Sequence, residues 1–542
     1  MNRTNLFARL GVSVCALCLL MGQTAVAQSL QEGLKMMSYE KYPQAVAALE
    51  SASKSTPADV DILYQLGNAY LLTGESNKAK ETYAKIILSN PKSLLGNIGA
   101  AKIAMTEGNT ADASKLLEGA LKSSKGKDVN ILRYIGEAYL VGKKPNADAA
   151  ITTLTKAVAL GKKDALVNLT LGDAYLAKNE GGKTLTNYEY AAEYNPKDPV
   201  APFKIAEAYL RARNNVEALK AFEKSKANDP NFPPVFRELG DFFYELNRYE
   251  EAAEHYGKYI QIGNATIDDQ TQYVNALFLS KKYPETIAKV NEITKIDSSK
   301  NYLNRLLAYS YYETGDSMQA LSLMEKFLET AEPKKQIAMD YQYYGKILAK
   351  HQKLDQAAAA YQKAIAIADT AKSVKEEQKL DIIGELAYMY YDKDKFPEAI
   401  KYYRLKIAHT GTPNANDYYN LGKSAYYGKI YATADSAFAK LSELKPNLPL
   451  GHLWQAKTAK KVEGNANNGK AAPYYEKFVA LATAEPASTT KYKKEILEGL
   501  SYLTEFAYTK GDTANARAWA QKAVGLDPTH KYTSDILKAI GQ

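Results

Sequence analysis

Cysteine is nearly missing from this 542-residue chain, and the two present, Cys15 and Cys18, both stand close to its start. Beyond them no disulfide, thiolate metal site or cysteine nucleophile can form, so stability has to come from burial alone. Histidine is almost as scarce. His255, His351, His409, His452 and His530 lie far apart, with no H-E-x-x-H and no i, i+4 pair to put two ligands on one helical face. Glycine (32) and proline (19) are too few for a collagen-like or Pro/Gly-rich disordered chain. No stretch after the N-terminus is long and uncharged enough to span a bilayer.

Catalytic signals are equally thin. No G-x-S-x-G elbow occurs, and acidic pairs such as Glu250-Glu251, Asp268-Asp269 and Glu376-Glu377 are adjacent residues that diverge on a helix and read as solvated faces. Ala177 to Thr184 fits a permissive phosphate-loop pattern, but it falls at the turn after a helix rather than after a strand, with Thr184 in a core position. Gly464 to Lys470 is a second near miss that lacks the magnesium-binding hydroxyl at Ala471. The expectation is no enzyme, no cofactor and no metal.

What is present is a hydrophobic content of 46% with a mean hydropathy of −0.39, the balance of an ordinary folded, soluble chain. Residues 1–27 stand apart. Arg3 and Arg9, the apolar run Leu10 to Met21 and the small residues Ala25-Val26-Ala27 make a secretory signal peptide, cleaved after Ala27. Val14 before Cys15 and Leu17 before Cys18 argue against a lipid anchor. Arg3 and Arg9 are the leader's only charges, so the formal +9 falls to +7 in the mature chain. That mild charge on an exported chain argues against nucleic acid as a partner.

Internal repetition decides the fold. Thr184, Ala218, Ala252, Thr286 and Ala320 recur at intervals of 34, as do Ala45, Ala79 and Ala113, and Pro57 with Pro91 or Pro196 with Pro230. Leu66-Gly67 with Tyr70, Ala79, Tyr83 and Pro91 forms one complete unit. Leu171-Gly172 with Tyr175, Tyr188 and Pro196 is another, and similar units follow at Leu239-Gly240 and Leu421-Gly422. On these residues the chain resembles the tetratricopeptide-repeat (TPR) proteins, helix-turn-helix units of 34 residues. Gly or Ala on the first helix and Ala on the second let the two approach, tyrosines fill the space between turns, and Gly74, Gly315 and Gly511 mark turns.

The resemblance implies an all-α, right-handed superhelix of about fourteen repeats without a β-sheet. It divides as an array over 28–371 (about ten repeats), a charged insertion 372–381, a second array 382–531 (about four) and a capping helix 532–542. A further insertion lies at 482–491. The resemblance is closest to exported TPR proteins of Gram-negative envelopes, with a Bacteroidota-like leader, and so to a periplasmic or outer-membrane-associated scaffold. Such proteins receive a peptide segment or partner subunit in the concave groove. The known Lys/Asn/Arg clamp for a chain terminus is absent, because Lys102 and Arg133 follow Asn68 without a second asparagine.

By repeat phase the groove face comprises Asn68, Lys102, Arg133, Phe203, Arg237, Arg305, Tyr309, Tyr312, Lys346, Tyr388, Tyr391, Tyr419, Lys423 and Tyr426. Tyrosine is plentiful at 42, with doubled pairs such as Tyr311-Tyr312 and Tyr390-Tyr391 in the C-terminal half. Two readings of these rings stand open: filler of wide helix interfaces, or an aromatic and cationic binding stripe. Two functions stand with them, an envelope protein scaffold and a glycan-binding solenoid in polysaccharide export or wall attachment.

Overall fold

A computed structural model describes residues 28–161, 163–371, 374–412, 414–464 and 468–541. The expected signal peptide and Lys372-Ser373 of the expected insertion lie outside them, as do Asn465 to Asn467 of the second near miss. The described residues are all-α, with no strand among them. Helices follow one another as antiparallel hairpins: 28–38 with Tyr42–Ser55, Val60–Leu72 with Ser76–Ser89, and so on to Lys493–Thr509 with Thr513–Leu526. Fourteen such pairs are formed, and the helix Lys531–Gly541 covers the last of them.

One repeat shows why these residues form this unit. The Asp59 carboxylate accepts the Ile62 backbone N–H at 3.0 Å, capping the helix Val60–Leu72. The helix ends at Thr73, and Gly74 turns the chain with φ +79°, a conformation a Cβ disfavours. The second helix, Ser76–Ser89, then packs back through Ala79, Tyr83 and Ile86. Tyr83 is the wedge: a Cβ on Gly67 of its own repeat, or on Gly99 of the next, would overlap its ring. Gly240 meets Tyr256 (2.5 Å from a built Cβ), Gly345 meets Tyr361 (2.7 Å) and Gly422 meets Phe438 (2.5 Å) in the same way. The small residues in 34-residue phase, Ala45, Ala79, Ala113, Thr184, Ala218, Ala252, Thr286 and Ala320, are all fully buried.

The turns depend less on glycine than the sequence suggests. At the place of Gly74, later repeats put Asn179 (φ +58°), Arg213 (+56°), Asn247 (+59°) and Lys281 (+62°) in the left-handed region. The cost of a side chain there, about 1 kcal/mol, is small beside the burial that follows from closing each hairpin.

The chain forms two compact units, 28–300 and 301–541 within the described residues. The first holds eight hairpins and the second holds six with the terminal helix. The division falls after Lys300, whereas the sequence places its own at 372–381. There Glu376–Asp392 simply begins a turn early: the Gln378 side chain accepts the Lys375 N–H at 3.0 Å, and Lys379 pairs with Asp369 at 2.6 Å. The insertion at 482–491 likewise forms a short helix, Pro486–Lys491.

Candidate binding groove

In the first unit the predicted groove residues are consumed by one another. Asn68, Lys102 and Arg133 come from three successive first helices, Val60–Leu72, Leu94–Thr106 and Val129–Tyr139. Asn68 Oδ1 accepts both the Tyr83 hydroxyl and the Lys102 ammonium at 2.9 Å. That ammonium sits 5.0 Å from the centre of the Tyr64 ring and 3.5 Å from Glu137, which also takes the Arg133 guanidinium. Arg133 stacks on Tyr134 at 4.3 Å. Burial depresses the Lys102 ammonium below its ordinary range, and Glu137 opposes that shift. The set is a polar network that joins three successive repeats.

Phe203 and Arg237 are also spent. Phe203 is a core residue, 5.5 Å from Phe232 and 6.1 Å from Phe222, which corrects its assignment to the groove face. Arg237, on Pro233–Glu245, pairs with Glu238 at 3.0 Å and with Glu40 in the turn of the first hairpin. Beside it the Tyr39 hydroxyl donates to Asp229, and the Tyr39 ring meets Phe232 edge-on at 5.8 Å. The array of the first unit therefore curls until its first hairpin touches the sixth and seventh.

The second unit differs. Arg305 is committed, donating to the Lys335 carbonyl at 2.8 Å and lying 3.5 Å from Asp340 and 4.6 Å over Phe327. Tyr309 is 1% exposed; its hydroxyl donates to Asp340 at 2.5 Å and its ring stacks on Tyr343 at 4.2 Å. It belongs to the core, whereas its near neighbour Tyr311 is only half-buried. The phase assignment fails because Asp340, fully buried on the next first helix, draws the Tyr309 hydroxyl inward.

Tyr312, Lys346 and Tyr388 line an open cavity of about 980 Å³, shared by the first helices Asn304–Glu313, Ala338–Lys350, Glu376–Asp392 and Ala415–Tyr427. Lys346 pairs with Glu385 at 2.8 Å, and Gln342 donates to the same carboxylate at 3.0 Å. Lys406 pairs with buried Asp417 at 2.9 Å, and a Cβ on Gly384 would stand 3.2 Å from that ammonium. The Tyr388 ring is 58% exposed and leads to Tyr391 at 6.3 Å. Beyond it Tyr391, Tyr419, Tyr427 and Trp454 gather around Lys423, whose ammonium lies 5.2, 5.6, 5.9 and 6.0 Å from their ring centres. Tyr426 closes on Trp454 at 5.2 Å.

Seven predicted residues thus share one face: Tyr312, Lys346, Tyr388, Tyr391, Tyr419, Lys423 and Tyr426. Missed from the sequence were Glu385, Lys406, Asp417, Tyr427 and Trp454. Glu385 stands one turn before Tyr388, a spacing that could have placed it; Lys406 comes from a second helix, and its approach depends on Gly384. Thr184 of the near phosphate loop is fully buried, and its hydroxyl donates to the Glu180 carbonyl at 3.1 Å within the helix Gly181–Tyr194 and its cap.

Tetratricopeptide-repeat profiles match the chain over 36–101, and over 98–165, 169–233 and 305–372. The peroxisomal targeting signal receptor of Kluyveromyces lactis is 25% identical over 214 residues, 40% of this chain and 38% of that protein. Cellulose synthase operon protein C of Pseudomonas fluorescens is 23% identical over 231 residues, 41% of this chain and 18% of that one. The chain thus spans well under half the length of either. The C-terminal part of a TPR repeat-containing protein from Cytophaga hutchinsonii is 32% identical, matching 49% of this chain and 98% of that structure, with a TM-score of 0.43. No described helix is long and apolar enough to cross a membrane.

Proposed function

The chain belongs to the tetratricopeptide-repeat proteins, and on that premise we propose that it is a non-catalytic scaffold of the cell envelope whose second unit holds an extended segment of a partner protein. The observation that carries this is the contrast between the units: the groove-face Asn68, Lys102, Arg133 and Arg237 of the first are tied to its own side chains beside a cavity of about 490 Å³, while four successive first helices of the second leave one of about 980 Å³. Its wall mixes exposed tyrosine with paired charges, the composition of surfaces that grip polar chains. Export is supported by the leader features of residues 1–27, by the lack of cysteine after Cys18, and by the likeness to a Pseudomonas protein named for a cellulose synthase operon.

Photo-crosslinking tests it. A benzophenone side chain at position 388 should trap one discrete envelope protein, whereas the same group at Tyr190, also exposed but on a second helix of the first unit, should not. Equal labelling from both positions would overturn the groove assignment.

A glycan-binding reading is favoured by one observation, the exposed rings of Tyr388 and Tyr427. It predicts retention on insoluble envelope polysaccharide that is lost in Tyr388→Ala.

A further inference from the structure

Lys423 differs from the lysines beside it along the groove. Lys346 and Lys406 each face a carboxylate within 3 Å, and Lys457 on the next first helix lies 3.6 Å from Glu498. No carboxylate among the described residues stands within 4.0 Å of the Lys423 ammonium, which is held instead by four aromatic rings. Ring quadrupoles stabilise a cation without neutralising it, so the box carries a net positive charge at a half-buried place where the dielectric is lower than in water. Lys460 on the helix Pro449–Glu463, with no carboxylate within 4.0 Å among the described residues, adds to the positive field on the far side.

Resting on the groove reading above, we propose that the box of Tyr391, Tyr419, Lys423, Tyr427 and Trp454 is the specificity subsite of the groove and takes an acidic side chain, Asp or Glu, from within the partner's extended segment. Peptide is favoured over an acidic sugar because sugar stacking needs open ring faces, and of the four rings Tyr391, Tyr419 and Trp454 are half-buried, with Trp454 stacked on Phe438 at 5.5 Å, while Tyr427 alone is exposed. What is left is a point charge, suited to a carboxylate. An internal residue is favoured over a chain end because the groove runs on in both directions. Tyr388 and the cavity lie on one side, and Lys457 on the other.

The box contains its own probe, since Trp454 and Trp519 are the chain's two tryptophans. In full-length protein carrying Trp519→Phe, a short peptide of alternating glycine and glutamate, blocked at both ends, should change Trp454 emission saturably at low salt. Its glutamine counterpart should not. Lys423→Met should weaken the glutamate peptide about tenfold, Lys423→Arg should keep most of the affinity, and Lys440→Met, exposed on the second helix Tyr431–Leu444 away from the groove, should change it less than about twofold. Unchanged melting of the variants checks the fold. Equal binding of glutamate and glutamine peptides, or no effect of Lys423→Met, would overturn the subsite. So would Lys423-dependent binding of an oligogalacturonate in place of the peptide, which would reassign it to acidic sugars. The crosslink at position 388 is scored separately, so the groove can stand where the subsite falls.

Discussion

Glycine and tyrosine divide the labour of each repeat, and their substitutions separate cleanly. Gly67→Ala drives a methyl into the Tyr83 ring, which is itself trapped against Gly99, so the ring cannot step aside. A loss of about 1–3 kcal/mol is expected. Gly182→Ala, with open space around its Cβ at the start of a helix, should gain up to about 1 kcal/mol. Chemical denaturation of the pair checks both signs. Tyrosine shows the same dependence on place. Tyr309→Ala removes a buried ring and strips the donor from buried Asp340, an expected cost of about 3–5 kcal/mol. Tyr312→Ala, at the cavity wall, should cost under about 1 kcal/mol; similar melting losses for both would show that Tyr312 is structural too.

Titration adds a signed test at this scale. Burial lifts the Glu207 carboxyl above its ordinary value, against the pull of Lys204 and Arg211, with Asp173 and Glu40 adding to the rise. Its folded pKa thus exceeds its unfolded one. The carboxyl favours folding below the unfolded value, and that contribution is lost as pH rises through the folded value. Glu207→Gln should therefore melt higher than the parent at neutral pH, with the gap closing on acidification to about pH 4. A lower melting temperature at neutral pH would mean that its attraction to Lys204 outweighs burial.

Among the elements, the first hairpin of the first unit is the one whose stability comes from afar. Its turn reaches Asp229 and Arg237 across some 190 residues of sequence. The groups are about a quarter to a third exposed, so screening reduces the worth of the Glu40–Arg237 pair. A double-mutant cycle between Glu40→Gln and Arg237→Met should give a coupling of about 0.5–1 kcal/mol that shrinks in high salt. A coupling indistinguishable from zero would leave the contact to Tyr39, through its ring on Phe232 and its hydroxyl on Asp229.

At the scale of the molecule, repeats that touch mainly their neighbours make stability local. Both tryptophans lie in the second unit. Tyr83→Ala, which empties the core of the second repeat, should lower the first unit's transition seen by circular dichroism while leaving the tryptophan fluorescence transition in place. Parallel shifts of the two signals would mean that the units unfold as one.

Composition and period alone determined a great deal here. The 34-residue recurrence of small residues settles helix length, hairpin pairing and the all-α class, because a helix pair can close only where a side chain is small and its partner large, and both are local facts of sequence. The alternation of Gly67 and Tyr83 announces its own packing. Which groove residues stay free was decided only in three dimensions. Lys102 and Lys423 occupy the same place after a small residue on a first helix, yet one is buried against Glu137 and Asn68 and the other is ringed by aromatics without a counter-ion. The difference lies in what the neighbouring repeats present. It also lies in how far each unit curls: Tyr39 and Glu40 come round to meet Asp229 and Arg237, a contact set by the sum of small rotations between successive repeats, which no single repeat encodes.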